Sequence, residues 1–261
     1  MQFGALIVAA GMSSRMGEFK PMLNIGSISI AQRIVATLRQ SGVTRIVMVT
    51  GHNARELEHH LANNGLIFLR NEQYRKTQMF DSAKIGLEYL KDKCDGILFT
   101  PVDIPLFTAS TVSALMDCGA RLVCPVCEGR RGHPILIGTE LVDTILAYRG
   151  EGGLGGAIEH CGAEMTEIAV EDSGILHDAD TPEDYRALLS YHNRQLVRPI
   201  INVELAKEKV FFDRKIAMLL TLVEETNSVR SACQRMQISI RYTRRLTAVH
   251  RSSPERAGRP S

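Results

Sequence analysis

The chain has 261 residues, of which 44% are hydrophobic and 23% charged, a composition typical of a globular protein with a substantial core. No apolar run approaches the length of a membrane span, and the chain enters a strand pattern without a signal peptide. Six scattered cysteines lack the spacing of a disulfide framework. We therefore expect a cytoplasmic protein with reduced thiols and no membrane partner.

Charge is unevenly distributed along the chain. From residue 230 onwards eight arginines accompany a single glutamate, for a net charge of +7. The rest of the chain has 23 basic and 28 acidic residues, for a net charge of −5. A basic tail on an acidic body predicts two parts with different partners.

Strand and helix patterns alternate along the first three quarters of the chain. The first run, FGALIVAA over residues 3–10, is apolar throughout, as expected for a strand buried on both faces. Further strands are predicted over 45–50, 66–69, 96–100, 121–125, 134–137, 167–170 and 175–177. Helices are predicted over 29–41, 54–63, 77–90, 109–118, 139–148 and 182–193. This alternation predicts an α/β fold with a Rossmann-like, mostly parallel sheet and helices on both faces.

The pattern changes after Pro199. Helices are predicted over 211–225, 229–236 and 240–248, and their basic context is typical of a small all-α helix-turn-helix segment. We therefore expect one domain over 1–197, a helix-turn-helix segment over 203–250 and a disordered tail over 251–261.

The loop that follows the first strand, AGMSSRMGEFK over residues 10–20, combines small, flexible and basic residues. Ligands of open parallel sheets bind at the carboxyl ends of the strands, where this loop begins. Gly11 and Gly17 allow a close backbone approach, and Arg15 and Lys20 supply positive charge. The composition suits a polyphosphate, although the spacing matches neither the Walker loop nor G-x-G-x-x-G.

The same stretch, A-A-G-x-S-x-R-M-G-x-x-K-x-x-L, resembles the signature loop of the MobA-like nucleotidyltransferases. The resemblance implies that the loop binds a nucleoside triphosphate and that Arg15 and Lys20 act catalytically on its phosphates. It also implies that Ala9, Ala10 and Gly11 contribute backbone near the base.

Two acidic segments are candidates for holding Mg²⁺. Asp103 follows the strand predicted over 96–100, and a carboxylate there is placed to hold a hard cation, although a turn between two prolines also favours Asp. Its P-x-D-x-P setting resembles the family's metal-binding segment, which implies that Asp103 is also catalytic. The family also has a segment similar to D-A-D-T-P-E-D over 178–184, where we expect Asp178 to end a strand and to be the second metal carboxylate.

Three further segments concern the base and the acceptor. G-R-R-G-H-P over 129–134 resembles the cytidylyltransferase branch, in which Arg131 and His133 would meet an anionic acceptor. A turn before a strand explains its glycines and proline equally well. Gln78 stands where the family has Gly, and Ser82 is expected to touch the base. The glycine-rich run 152–156 is predicted to be a flexible loop near the acceptor.

These resemblances imply transfer of a nucleoside monophosphate from an NTP to an acceptor phosphate, with release of pyrophosphate. The A-A-G form and the G-R-R-G-H-P segment favour CTP and a molybdopterin-type acceptor. Two alternatives stay open: a sugar- or alditol-phosphate nucleotidyltransferase, and a DNA-binding regulator whose transferase domain senses a nucleotide or cofactor.

The stretches 217–222, 225–233 and 238–239 resemble the helix-turn-helix of ModE-type, LysR-like molybdate-responsive regulators, but the wing that follows in those proteins is not seen here. The resemblance implies DNA as a partner, contacted by Arg241, Arg244 and Arg245. A basic helical hairpin that packs on the first domain or forms an oligomerisation arm is the alternative. The sequence leaves the oligomeric state open.

Overall fold

The computed structural model describes residues 1–195, 205–206, 210–212 and 214–238. The chain divides into two compact units, 1–196 and 197–261, and each is described separately. The strands of the first unit are β1 Phe3–Ala9, β2 Asn24–Ile25, β3 Ile28–Ser29, β4 Arg45–Thr50, β5 Ile67–Arg70, β6 Gly96–Pro101, β7 Leu122–Cys127, β8 Arg130–Arg131, β9 Ile135–Gly138 and β10 Thr166–Ala169. Its α-helices are α1 Ile30–Gln40, α2 Ala54–His60, α3 Met79–Leu90, α4 Ala109–Asp117, α5 Val142–Ala147, α6 Gly153–His160 and α7 Pro182–Gln195.

The central sheet has the order β10-β7-β9-β6-β1-β4-β5, and β8 pairs with β7. The strands β6, β1, β4 and β5 are mutually parallel, whereas β9 runs antiparallel to both β6 and β7. After β1 the chain builds β4 and β5 on one side and then returns to β6 on the other. The topological switch point therefore lies between the carboxyl ends of β1 and β6, where α/β folds bind their ligands.

Helices cover both faces of this sheet. Along β1, Ala5 and Ile7 face one hydrophobic core with α1, α2, α4 and α7, while Leu6 and Val8 face a second core with α3, α5 and α6. The alternation explains why the first strand is apolar throughout. The predicted Rossmann-like α/β fold, with a mostly parallel sheet between two helical layers, is confirmed.

Two predicted elements of the first unit are wrong. Residues 175–177 are not a strand; a 3₁₀ helix over Ser173–Leu176 replaces it, because the Asp172 carboxylate accepts the Gly174 N–H and closes a tight turn. The glycine-rich run 152–156 is not a loop, because α6 begins at Gly153 and buries Leu154 and Ile158 at helical spacing. Glycine's helix-breaking tendency is outweighed there by burial of the apolar side chains.

In the second unit, β11 Leu205–Ala206 pairs antiparallel with β12 Val210–Phe212. The helix predicted over 211–225 therefore begins later, as α8 Arg214–Thr226, because the aromatic and β-branched run at 210–212 favours a strand. Helix α9, Val229–Arg235, follows after a short turn and packs on α8 through Leu219, Ala232 and Cys233.

Some predictions for the tail lie outside the described residues. These are the helix over 240–248, the tail over 251–261 and the DNA-contacting Arg241, Arg244 and Arg245. The helix-turn-helix interpretation stays a prediction. No helix in the described part of the chain is long and apolar enough to cross a membrane.

Candidate functional site

The loop after β1 carries a lysine into the protein at the switch point. Ser13 and Gly17 adopt left-handed backbone angles, and the Ser13 hydroxyl accepts the Lys20 N–H at 3.3 Å. The loop ends in a 3₁₀ turn, Lys20–Met22, in which Pro21 follows the lysine. The Lys20 side chain is therefore almost entirely buried, although it carries a charge.

A buried ammonium needs partners, and Lys20 has two carboxylates. Its Nζ lies 2.7 Å from the Asp180 carboxylate and 3.5 Å from that of Asp103. Arg15, which is mostly exposed, lies 2.9 Å from the other oxygen of Asp180. Two basic residues from the β1 loop and two acidic residues from distant segments thus form one charged cluster.

The electrostatics of this cluster differ from one carboxylate to the next. Burial raises the pKa of Asp103, the charge of Lys20 lowers it, and the nearby Asp180 and Asp178 raise it further. Burial also raises the pKa of Asp178, with a contribution from Asp180. The Lys20 hydrogen bond, in contrast, lowers the pKa of Asp180. Asp180 is therefore the carboxylate best stabilised in its charged form.

Asp180 is the residue that sequence reasoning missed at this cluster. Asp178 was expected to end a strand, but it follows the 3₁₀ helix, and the contact with Lys20 comes from Asp180. The segment 178–184 contains four acidic residues, and its pattern alone does not say which of them reaches Lys20. Thr181 begins α7, because its hydroxyl accepts the Asp184 N–H at 3.2 Å, so Asp180 lies before the helix and faces the cluster.

Five predicted nucleotide-binding residues and the predicted metal ligand Asp103 line one cleft of about 170 Å³ beside this cluster. They come from the carboxyl end of β1, from the loop, from the segment after β6 and from the first turn of α3: Ala9, Ala10, Gly11, Lys20, Ser82 and Asp103. Helix α3 reaches the cleft because Gly86 packs directly on β1, where an added Cβ would lie 2.1 Å from Leu6 Cδ1. Arg15 joins the set through Asp180 rather than by lining the cleft.

The predicted acceptor residues line a second cavity of about 510 Å³. Gln78 and Met79 line both cavities, so the two are neighbours. Arg131 is exposed and paired with Glu167 at 2.7 Å. Burial lowers the pKa of His133 to about 4, so this side chain is neutral at pH 7.

The second cavity has a mainly apolar wall. Its apolar members come from helices α3 and α6 of one layer, from the sheet and from the segment before β10: Met79, Phe80, Phe99, Ile135, Leu154, Ile158 and Met165. His133 Nδ1 is buried without a hydrogen-bond partner in the described part of the chain. A neutral imidazole among apolar groups does not attract an anion by charge, so Arg131 is the cationic candidate on this wall.

The charged cluster suits Mg²⁺, which is usually held by one or two carboxylates with waters and substrate phosphates. Among the described residues, no group of three or more His, Cys, Asp or Glu side chains is arranged to hold a metal ion by itself. Asp103 and Asp180 converge on the Lys20 ammonium. Their carboxylate oxygens are hard donors, the kind that Mg²⁺ prefers. Their chemistry therefore fits Mg²⁺ bound together with a triphosphate.

Doubly wound α/β proteins bind nucleotides at the topological switch point of the sheet, which is where Lys20, Asp103 and Asp180 meet in this chain. The model of the MobA-like NTP transferase domain matches residues 5–165. The chain belongs to this family, and membership implies a nucleoside triphosphate substrate.

Curated relatives and a solved structure agree with this assignment. The chain is 27% identical over 184 residues to the molybdenum cofactor cytidylyltransferase of Escherichia coli strain K12, covering 69% of the chain and 92% of that protein. It is 29% identical over 119 residues to the bifunctional protein GlmU of Staphylococcus haemolyticus, covering 45% of the chain but only 26% of that relative. A nucleotidyl transferase from Methanothermobacter thermautotroptrophicus shares the fold with a TM-score of 0.66 at 20% identity, covering 75% of this chain and 99% of that one.

Proposed function

We propose that this chain is a Mg²⁺-dependent cytidylyltransferase that transfers CMP from CTP to the phosphate of a molybdopterin-type acceptor. The observation that carries the proposal is the pair of neighbouring cavities, one charged and one mainly apolar. The Escherichia coli relative, 92% of which is covered by the match, supports this choice of nucleotide and acceptor.

The chemistry requires positioning and charge neutralisation rather than a general base. An oxygen of the acceptor phosphate, which is already anionic at neutral pH, attacks the α-phosphorus of CTP. The bond between that phosphorus and the α–β bridging oxygen breaks, and pyrophosphate leaves with the electron pair. Lys20 and Arg15 would neutralise negative charge on the α-phosphate and the leaving group.

Asp103 and Asp180 would hold Mg²⁺, with Asp178 close by as the second carboxylate expected from the sequence. The cation would supply charge neutralisation on the phosphate oxygens. The Lys20 ammonium is bound by these same carboxylates. A Mg²⁺–triphosphate complex offers each partner a replacement: the carboxylates gain a cation, and Lys20 and Arg15 gain phosphate oxygens.

A molybdopterin-type acceptor combines a flat ring system with a phosphate. The wide second cavity has apolar side chains for the ring, and Arg131 lies on its wall. A sugar- or alditol-phosphate acceptor is the second candidate, because Gln78 and Glu159 also line this cavity and could bind hydroxyl groups. The large apolar side chains of the cavity outnumber its four polar ones, Gln78, Arg131, His133 and Glu159, which favours the ring-bearing acceptor.

The test is pyrophosphate release with Mg²⁺ and each of CTP, GTP, ATP and UTP, with and without molybdopterin, in wild type and Asp103→Asn. We expect release that requires CTP and molybdopterin and falls about a hundredfold in the variant. Asp92→Asn is the matched control, because Asp92 is an exposed carboxylate beyond the opposite end of α3.

Two other outcomes would contradict the proposal. Release that requires a sugar or alditol phosphate would establish the second candidate. Nucleotide binding without turnover of any acceptor would favour the regulator that uses this domain as a sensor, with DNA as its partner.

A further inference from the structure

A buried asparagine lies behind the nucleotide cleft and holds two of its hydroxyl groups. Asn71 follows β5, is 5% exposed, and donates its backbone N–H to the Thr50 carbonyl at 2.8 Å. Its amide nitrogen lies 2.8 Å from the Thr77 hydroxyl and 2.9 Å from the Ser82 hydroxyl. Thr77 and Ser82 line the cleft, whereas Asn71 does not.

The orientation of the Asn71 amide is fixed by a backbone donor. Asn71 Oδ1 accepts the Gln73 N–H at 3.0 Å, and a backbone N–H can only donate. A flipped amide would bring its NH₂ group against this donor, so the Nδ2 atom must face the hydroxyls. Both of its hydrogens are then used, one on Thr77 and one on Ser82.

The consequence differs for the two hydroxyls. Thr77 donates its own proton to the Gln73 carbonyl at 3.1 Å, so that proton is not available to a ligand. Ser82 accepts from Asn71, and its proton has no acceptor among the described residues. Because Ser82 is only 2% exposed, leaving that proton without a partner is costly.

We infer that Asn71 is a positioning residue that fixes Ser82 as a hydrogen-bond donor to an acceptor atom of the bound nucleobase. The inference rests on the proposed function for the nucleotide. It adds that the protein side chain donates the hydrogen bond and the base accepts it. Cytosine presents two adjacent acceptors, its ring N3 and its O2 carbonyl. In Asn71→Asp, a charged carboxylate has no proton to give and would accept the proton of Ser82, which removes the donor from the cleft.

The test is a double-mutant cycle on CTP binding with Mg²⁺, measured by calorimetry without any acceptor. We expect Ser82→Ala to weaken binding about tenfold in the wild-type background, because one hydrogen bond is lost. In the Asn71→Asp background, the same Ser82→Ala change should weaken CTP binding less than about twofold. Asn63→Asp is the matched control, an identical change at an exposed position.

Unchanged CTP affinity in Ser82→Ala, or an equal cost of Ser82→Ala in both backgrounds, overturns the inference. If thermal unfolding shows that Asn71→Asp does not fold, Asn71→Ala replaces it. That variant releases the Ser82 hydroxyl, and the cost of Ser82→Ala should fall below about threefold, whereas an undiminished cost contradicts the inference. A wild-type protein that binds no CTP overturns the proposed function itself, which distinguishes the two failures.

Discussion

The two neighbouring cavities of the first unit differ in how they treat charge. In the nucleotide cleft a nearly buried lysine is stabilised by two carboxylates, Asp103 and Asp180. In the second cavity burial keeps His133 neutral, and Arg131 is exposed and paired with Glu167. The first cavity holds ion pairs whose members we propose to bind Mg²⁺ and a triphosphate. The wall of the second cavity is mainly apolar and would bind its ligand chiefly through contact area.

This difference assigns different energetic roles to the cavities. Interactions with charge that develops during reaction change the rate of the chemical step, whereas apolar contacts change binding. Substitutions in the charged cluster should therefore lower kcat strongly, and substitutions in the apolar cavity should raise the KM for the acceptor. The predictions below test this division.

The largest effect is expected from Lys20→Met. The change removes the buried cation at the centre of the cluster and leaves Asp103 and Asp180 to repel one another. We expect kcat/KM for pyrophosphate release to fall about a thousandfold. Lys93→Met, at the opposite end of the sheet, is the control, and a loss below tenfold in Lys20→Met would contradict a catalytic role for the lysine.

A smaller effect separates Asp180 from Asp178. Asp180 bonds both Lys20 and Arg15, so Asp180→Asn should lower kcat/KM about a hundredfold and raise the Mg²⁺ concentration needed for half-maximal rate. Asp178→Asn should lower kcat/KM less than about tenfold, because the Lys20 ammonium is bonded by Asp180 and not by Asp178. Equal losses of kcat/KM in the two variants, or a larger loss in Asp178→Asn, would contradict the assignment of the main role to Asp180.

In the apolar cavity, Met165→Ala should raise the KM for the acceptor about tenfold, because contact area with its ring is lost. The KM for CTP should not change, since Met165 lines only the second cavity. Met116→Ala is the matched control, because Met116 is a half-buried methionine of α4 on the opposite face of the sheet. A rise in the KM for CTP, or an acceptor KM that does not move, would contradict the division between the cavities.

The sequence predicted the fold and much of the cleft because both depend on local patterns. Continuous apolar strands and helical spacing fixed the two layers, and a glycine-rich basic loop after the first strand marked the switch point. What it could not predict depends on contacts between distant segments. Which of Asp178 and Asp180 reaches Lys20 is decided by Thr181 beginning α7, and the role of Asn71 emerges only once the 71–82 segment folds back on itself.

The smallest effect concerns stability at the charged cluster. Burial raises the pKa of Asp103, so the folded protein binds a proton there more readily than the unfolded chain does. The contribution of this group to the free energy of unfolding is therefore favourable in acid and is lost as the pH rises through its folded pKa. Asp103→Asn carries no charge at any pH, so we expect its Tm to exceed that of wild type by a few degrees at pH 7.

That difference in Tm should shrink as the pH falls and Asp103 becomes protonated in the wild type. Lys20 keeps its closer partner Asp180 in the variant, so the lysine is not left unpaired. Thermal unfolding at pH 7 and pH 4, with Asp92→Asn as control, checks the expectation. A variant that unfolds at a lower temperature than wild type at pH 7 would show that the Lys20–Asp103 attraction outweighs the cost of burying the carboxylate. A gain in Tm together with lost activity would instead mark Asp103 as a residue retained for function at the expense of stability.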